Sequence, residues 1–420
     1  MRILFLSHYF PPEVNAPATR AYEHCRQWVR DGHHVTVVTC APNHPQGKVY
    51  EGYRNRIYQR ETRDGISVVR VWTFVTANEG FLKRTLNYIS YMCSAVMVSI
   101  FLPKADVVLS TSPQFFNGLA GYVVSKLRRI PWVLEIRDLW PESIVAVGAI
   151  KSPTIITLLE WIERFAYRKA DRIVPVTDSF KAYMLGKGID AGKIDVVKNG
   201  VDLDQYAPLD GASALAEELG VKEKFVVSYF GTHGMAHHLE TIFHAAHRLS
   251  GSNNIVFLMV GDGAERRALL QMRDDMALGN VMMVDQQPKS RMRDFWALSD
   301  ISLVLLKKSD LFKTVIPSKI FESLAMAKPI ILGVEGESAD LIRAAKAGVC
   351  IEPEQAEELA ARVLELSQNT DRCQQLGRNG RRYVIEHFDR IVLARKLASV
   401  LEAVDGKTVL EDEEVSTPVR

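Results

Sequence analysis

The chain has 420 residues, of which 47% are hydrophobic and 24% charged, and a formal net charge of +2. A chain this long outgrows one core and suits two domains, and its composition excludes a disordered or fibrous protein. The charge is unevenly placed: residues 1–200 hold 26 Lys and Arg against 17 Asp and Glu (+9), and residues 201–420 hold 26 against 33 (−7), so the first half expects an anionic partner, whether phosphate, membrane surface or nucleic acid.

In chain order, residues 2–7 read as a buried strand, and the apolar run is too short for a secretory signal. Further strands are expected at 34–39, 67–72, 105–110, 132–136, 172–176 and 194–197, with helices between most of them, including 18–29, 118–127 and 158–167. Val- and Ile-rich strands alternating with helices mean a parallel sheet covered on both faces. Residues 85–103 contain no charge, which raises the question of a membrane span. Asn87, Ser90, Ser94 and Ser99 recur through the segment and Pro103 stops it. Two readings stay open: a buried core helix, or a helix whose basic, aromatic start, Phe81-Leu-Lys-Arg84, touches a membrane.

Residues 199–211 are turn-rich and aperiodic, the expected domain linker. Beyond them the pattern restarts, with strands expected at 225–229, 255–260, 281–284, 301–305, 329–332 and 349–351. A last helix near 390–404 leads into residues 405–420, whose five acids, two bases and absent periodicity predict a disordered tail. Two doubly wound domains facing a cleft at the carboxyl ends of their strands are the expected α/β architecture. Cys25, Cys40, Cys93, Cys350 and Cys373 are scattered without a C-x-x-C pair. This argues against a disulfide framework or a cysteine zinc site and for a cytosolic setting.

A dinucleotide enzyme needs G-x-G-x-x-G after its first strand, and residues 8–20 contain no glycine. Gly261-Asp-Gly263 ends a strand later on, but a lone G-x-G is more often a tight turn than a ligand contact. The densest chemistry is Lys313-Thr-Val-Ile-Pro-Ser-Lys-Ile-Phe-Glu322. Thr314 is suited to cap a helix and Pro317 to open it, which would turn free amides and Lys319 toward a phosphate. Glu322, three residues further on, suits two ribose hydroxyls; the bland alternative is an ordinary charge pair on a surface helix. The loop Gly231-Thr-His-Gly-Met-Ala-His-His238 follows the first strand of the second half. Its histidines lack a carboxylate at metal-ligand spacing, so helix-start hydrogen bonding is expected of them. Asp202-Leu-Asp204 spells a metal-binding D-x-D but sits in the linker and reads as coincidence. No Lys/Arg-plus-aromatic module for nucleic acid is present.

Taken together, His8-Tyr-Phe-Pro-Pro-Glu13, Ala16-Pro-Ala18 with Arg20, Gly32-His-His-Val35, Pro42-Asn-His-Pro45, Glu135-Ile-Arg-Asp-Leu-Trp-Pro-Glu-Ser143, Asn199-Gly-Val-Asp202, Gly231-Thr-His-Gly234 and Thr314 through Glu322 with Lys328-Pro329 cover about 350 residues. In them the chain resembles the family 4 retaining glycosyltransferases of GT-B fold, and more closely the WbuB-type O-antigen transferases. The resemblance implies an acceptor-binding domain, 1–205, completed by a C-terminal helix at about 388–404, and a nucleotide-sugar-binding domain, 206–387. It implies Lys319, Arg137 and Asp138 at the reacting centre. The donor would lie against Glu322, Thr314, Ser318, Thr232, His233, Gly234 and Gly261, with Gln286 near the base, and the acceptor against Asn15, Arg20 and Glu142. Glu322 matches the second acid of the family's Glu-x-seven-Glu motif; Thr314 stands where the first would be. The family's usual Arg and Lys for the diphosphate have no counterpart near the first C-terminal strand.

The reaction so implied is retaining transfer of a sugar, such as N-acetyl-L-fucosamine on UDP, to a polyprenyl-diphosphate-linked saccharide. It needs no cofactor or metal, and takes place in the cytoplasm against an anionic membrane. An epimerase of the same fold and a non-catalytic nucleotide-sugar-binding protein are the alternatives.

Overall fold

The computed structural model describes residues 1–44, 46–76, 81–146, 148, 150–209 and 213–406. Apart from residues 405 and 406, the expected tail lies outside them, as do the last two residues of the expected linker. Residue 405 is helical: the final helix runs Arg390–Asp405, with Gly406 closing it in the left-handed region at φ 71°.

Two sheets carry the fold. The first has strands β1 (Arg2–Leu6), β2 (His34–Cys40), β3 (Tyr58–Arg63), β4 (Ile66–Val71), β5 (Val107–Thr111), β6 (Trp132–Ile136) and β7 (Arg172–Pro175), in spatial order β3-β4-β2-β1-β5-β6-β7. All its pairings are parallel except β3–β4. The second has β8 (Phe225–Phe230), β9 (Ile255–Val260), β10 (Val281–Val284), β11 (Ile301–Leu305), β12 (Ile330–Gly333) and β13 (Gly348–Cys350), in order β10-β9-β8-β11-β12-β13 and parallel throughout. This is the GT-B arrangement of two doubly wound units. Strand order reverses between β1 and β5 and again between β8 and β11, and ligands bind beyond the carboxyl ends of strands at such points.

Two expectations are corrected. Residues 194–197 form no strand; Ile194 makes a single isolated bridge to Ile173 at the outer edge of the sheet. Conversely β3 was not foreseen, because its alternately exposed sequence Tyr-Gln-Arg-Glu-Thr-Arg has no apolar face. It hangs on a two-residue hairpin turn, Asp64 and Gly65, at φ 48° and 78°.

The first sheet is covered by Ala16–Arg30 and Arg390–Asp405 on one face and by Phe81–Phe101, Asn117–Arg128 and Pro153–Lys169 on the other. The C-terminal helix thus packs on the first sheet. Leu393, Leu397 and Leu401, one turn apart, are buried against Phe5, Val107 and Leu109, and each such leucine stabilises by ~1.5–3 kcal/mol. Trp28 Nε1 donates to the Ala394 carbonyl at 2.7 Å.

The long helix Phe81–Phe101 is core on one side and exposed on the other. One side is core: Tyr91 is fully buried and donates to the Val38 carbonyl at 2.8 Å, and Asn87 donates to the Phe74 carbonyl at 2.8 Å. The other side exposes Leu82, Leu86, Ile89, Met97, Ile100 and Phe101. Among the described residues no helix is long and apolar enough to cross a membrane.

Candidate functional site

The C-terminal wall of the cleft is built on the loops after β8 and β11. Gly231 turns at φ 139°, and a Cβ there would fall 3.0 Å from Lys319 Nζ. Glycine is therefore needed for the ammonium to approach the loop. Lys319 Nζ lies 3.8 Å from the centroid of the Tyr229 ring and, among the described residues, has no hydrogen-bond partner. Burial lowers its pKa to about 7, partly offset by Glu322.

His233 beside it is wholly buried with both ring nitrogens unpartnered, and burial, helped by Arg266 and Lys319, drives it down to about 4. His237 Nδ1 meets the Leu305 carbonyl at 3.2 Å; burial holds it at about 3, so it is neutral and donates. Thr232 is exposed, its carbonyl accepting from the Tyr229 hydroxyl at 2.8 Å, and the Gly234 carbonyl accepts from the His237 amide at 3.0 Å. Gly261 and Gly263 serve loop packing: a Cβ on Gly261 would come within 1.9 Å of the Gly231 carbonyl oxygen, and one on Gly263 within 2.4 Å of the His233 carbonyl oxygen. Gln286 is exposed on the loop after β10.

The helix that carries Lys319 is Lys319–Ala325, and two expectations about its start are corrected. Thr314 does not cap it; Thr314 ends the short turn Phe312–Thr314 and donates its hydroxyl to the Leu311 carbonyl at 2.6 Å. Ser318 holds the cap position without a side-chain bond, and Pro317 precedes it. The Ile320 and Phe321 amides are already used by the Pro317 and Ser318 carbonyls at 3.0 and 3.1 Å. Those two amides are therefore not free, and the charge of Lys319 is the feature of this helix start suited to an anion.

Glu322 is half-buried and hydrogen-bonded to Tyr206. Burial raises its pKa, while Lys289, Arg390 and Lys319 hold it down against Glu23. Two of these groups tie the domains together: Lys289 Nζ donates to Glu23 Oε1 across the cleft at 2.7 Å. Glu337 reaches over in the same way, accepting from the Asp178 and Ser179 amides at 3.1 and 2.8 Å and pairing with Lys198 at 3.2 Å.

On the N-terminal wall the three residues expected to hold the acceptor have partners within the protein. Asn15 caps the helix Ala16–Arg30 by accepting from the Ala18 amide at 2.8 Å. Arg20 is buried and committed to Glu135 at 2.8 Å, to the Val197 and Lys198 carbonyls and to Asn199. Glu142 pairs with Lys187 at 2.9 Å and bonds the Tyr183 hydroxyl, in a cluster completed by Glu163.

Arg137 and Asp138 follow β6 at the cleft. Arg137 holds the Pro17 and Ala16 carbonyls at 3.3 and 3.2 Å while its Nε is buried without a partner, and burial lowers it to about 9. Burial raises Asp138 to about 6, with Ser143, Trp140 and the Leu139 amide beside it pulling the other way. His8 is buried in a T-shaped nest of Tyr9, Tyr88 and Tyr91 and held at about 3 by burial.

Of the D-x-D pair, Asp202 pairs with Arg26 at 2.7 Å and accepts from the Asp204 and Gln205 amides. Among the described residues no three His, Cys, Asp or Glu gather as a metal cluster. The cleft therefore sets a buried ammonium and an unpartnered histidine on one wall, an arginine opposite, and a half-buried carboxylate one helical turn from the ammonium. Such a set has the chemistry to neutralise a leaving diphosphate and to bind a polyol beside it.

Residues 15–200 match the family model described as Glycosyl transferase 4-like domain, and residues 214–383 match Glycosyl transferases group 1. The chain is a family 4 glycosyltransferase. Among the relatives of this family 4 glycosyltransferase is the colanic acid biosynthesis glycosyl transferase WcaI of Escherichia coli (strain K12), 26% identical over 379 residues, covering 86% of this chain and 91% of that one. Another, from Escherichia coli, is the UDP-Gal:alpha-D-GlcNAc-diphosphoundecaprenol alpha-1,3-galactosyltransferase, 27% identical over 254 residues, 59% of this chain and 60% of that one. Among solved structures, a sucrose-phosphate synthase from Thermosynechococcus elongatus superposes with a TM-score of 0.77 at 16% identity, covering 97% of this chain and all of that one. It shares the fold.

Two groups that border this site went unread in the sequence. Tyr229 carries Lys319 on its ring, but a tyrosine in an apolar strand gives no such signal. Arg84 was read as a membrane contact, yet it is half-buried against Tyr88, with Tyr9, His44 and Asp138 near it. The signal was available: a cation in the first turn of a helix sits at the unfavourable end of its dipole.

Proposed function

We propose that this glycosyltransferase moves a sugar from a UDP-sugar to a polyprenyl-diphosphate-linked saccharide, with retention, in the synthesis of O-antigen or another surface polysaccharide. The observation that carries the reading is the unpartnered Lys319 ammonium against Gly231, one helical turn from Glu322. In this reading Glu322 accepts from the ribose hydroxyls, and Lys319 with Arg137 meets the diphosphate. The bond from the anomeric carbon to the diphosphate oxygen breaks, leaving its electron pair on the phosphate. The acceptor hydroxyl attacks the same face and gives its proton to that phosphate oxygen, so no protein base is required. Charge grows on the phosphate in the transition state, and fixed cations there act more strongly than in the ground state. Asp138, in the loop after β6 beside Arg137, orients the substrates rather than transferring protons. No metal is called for, since the cations are side chains.

The names of two relatives support the donor base and the lipid-linked acceptor: one is named for UDP-Gal and a diphosphoundecaprenol sugar and the other for colanic acid biosynthesis. An N-acetylated 6-deoxy amino sugar such as N-acetyl-L-fucosamine is the donor sugar proposed.

The exposed apolar side of Phe81–Phe101 adds a location. Asn117–Arg128 packs beside it and adds exposed Val123 and Leu127, and neither helix contains an acidic residue. With Lys83, Lys104 and Lys126 near this face it suits reversible docking on the anionic cytoplasmic leaflet. The test is incubation with a panel of nucleotide sugars and a polyprenyl-diphosphate sugar, with products identified by mass spectrometry. Transfer from a UDP-sugar with the anomeric configuration kept supports the reading. Donor isomerisation without an acceptor, or nucleotide-sugar binding without turnover, overturns it.

A further inference from the structure

The N-terminal wall holds a second cation without an ion-pair partner among the described residues. Arg84 lies in the first turn of Phe81–Phe101 and turns inward from the exposed Lys83. Its Nε is buried and, among the described residues, unpartnered. Its one hydrogen bond is a long one, Nη2 to the Tyr88 hydroxyl at 3.3 Å, and its guanidinium carbon lies 5.8 Å from the centre of that ring. Asp138 acts on it through space but forms no ion pair with it. The Tyr9 hydroxyl meets that of Tyr88, and the Tyr9 ring stands edge-on to His44 at 5.3 Å. Burial, with Arg84 adding to it, keeps His44 neutral at about 4.

The fold itself does not account for this arrangement. Helix dipole and desolvation both disfavour a guanidinium there, Tyr88, Tyr9 and Asp138 favour its charged form, and among the described residues no carboxylate forms an ion pair with it, as Glu135 does with Arg20. A group so placed is satisfied by a ligand that is anionic and has several acceptor oxygens, which a guanidinium matches best.

We propose that Arg84, with the hydroxyls of Tyr9 and Tyr88 beside it, is the site for a phosphate of the acceptor, separate from the donor diphosphate at Lys319. The assignment rests on the reading of the acceptor as a polyprenyl diphosphate. A phosphate ester could also come from a membrane lipid headgroup, and the test separates the two sources.

Farnesyl diphosphate is titrated calorimetrically into the full chain with UDP saturating. Arg84→Gln should bind it about tenfold or more weakly, the loss of one charge-assisted contact, with Arg84→Lys recovering part of the affinity. Farnesol, which has the chain without the phosphate, should bind wild type and Arg84→Gln alike. Tyr88→Phe keeps the packing and removes one hydroxyl; a several-fold weaker binding is expected, which keeps the test available if Arg84→Gln unfolds. Flotation with phosphatidylglycerol vesicles should be the same for Arg84→Gln as for wild type.

Equal affinity of wild type and Arg84→Gln for farnesyl diphosphate, no binding to wild type, or an equal loss for farnesol overturns the proposal. A loss of flotation makes Arg84 a headgroup contact and overturns it too. If farnesyl diphosphate binding depends on Arg84 while the nucleotide-sugar panel yields no transfer, the reaction reading falls and the phosphate site stands. The reverse result removes the site alone.

Discussion

Lys319 makes donor binding depend on pH in a way that can be worked out beforehand. In the free protein its ammonium titrates at about 7, because the cleft wall desolvates it. A diphosphate placed on it favours the charged form and raises that value, so binding above pH 7 takes up a proton and weakens as pH rises. With the bound ammonium held charged, affinity should fall about 25-fold between about pH 6.5 and 8.5, roughly 1.9 kcal/mol. His233 and His237, the two buried beside Lys319, do not interfere, since they titrate at about 4 and 3. The assay is calorimetric titration with UDP-galactose, whose diphosphate, esterified at both ends, does not titrate in that window. Lys319→Met should bind more weakly at the acid end, by ~1.5–3 kcal/mol, and lose the slope. Lys319→Arg, charged throughout, should bind with a flat profile. A wild type without the slope, or a Met variant that keeps it, would show that Lys319 does not meet the diphosphate.

Three further outcomes are expected. Glu322→Ala should lose ~1.5–3 kcal/mol, mainly in donor affinity; unchanged donor binding in a folded variant would remove it from the ribose site. Activity should survive EDTA; a reversible requirement for Mg²⁺ or Mn²⁺ would reopen Asp202-Leu-Asp204 and the histidines. Leu82→Glu with Lys83→Glu should weaken flotation with anionic vesicles, and salt should release wild type, since each cation near such a surface contributes about 1 kcal/mol and the attraction is screened over roughly 10 Å at 0.1 M. Undiminished flotation of the double variant, or extraction by detergent alone, would refute this docking face.

The strands were legible because a parallel sheet covered on both faces leaves its Val and Ile runs uninterrupted, as in β2, β9 and β11. The edge strand β3 was not, since an exposed edge needs no apolar side. The helix that seats Lys319 and Glu322 was found from its local sequence, though its start was misplaced because Thr314 and Pro317 form a turn of their own before it. The N-terminal wall was read least well. Arg20 bonds Glu135, 115 positions away, and no local pattern tells an arginine with such a distant partner from one that waits for a ligand. Asn15 has the residue type of both a cap and a sugar contact, and only the Ala18 amide at 2.8 Å decides between them.

That same distinction explains how the cleft divides its work. Arg20 and Arg84 are both drawn out of water on the N-terminal domain, yet one has Glu135 and three main-chain or amide acceptors and the other a single long bond to a phenol. A polar group left unpaired when buried destabilises by ~1–3 kcal/mol, more when charged, so a fold without use for it would be better off with an apolar residue. Among the unpartnered atoms at the cleft are Lys319 Nζ and both His233 nitrogens on one wall and the Nε atoms of Arg137 and Arg84 on the other, all on groups able to donate to an anion. Glu322, the acceptor among them, is held apart by Tyr206, where a neutral polyol rather than a phosphate suits it. A donor with a diphosphate and a ribose accounts for Lys319, His233, Arg137 and Glu322 together. It leaves Arg84 over, beside tyrosines 9 and 88 on the opposite domain, and the proposed acceptor, with a phosphate of its own, would give that residue a partner.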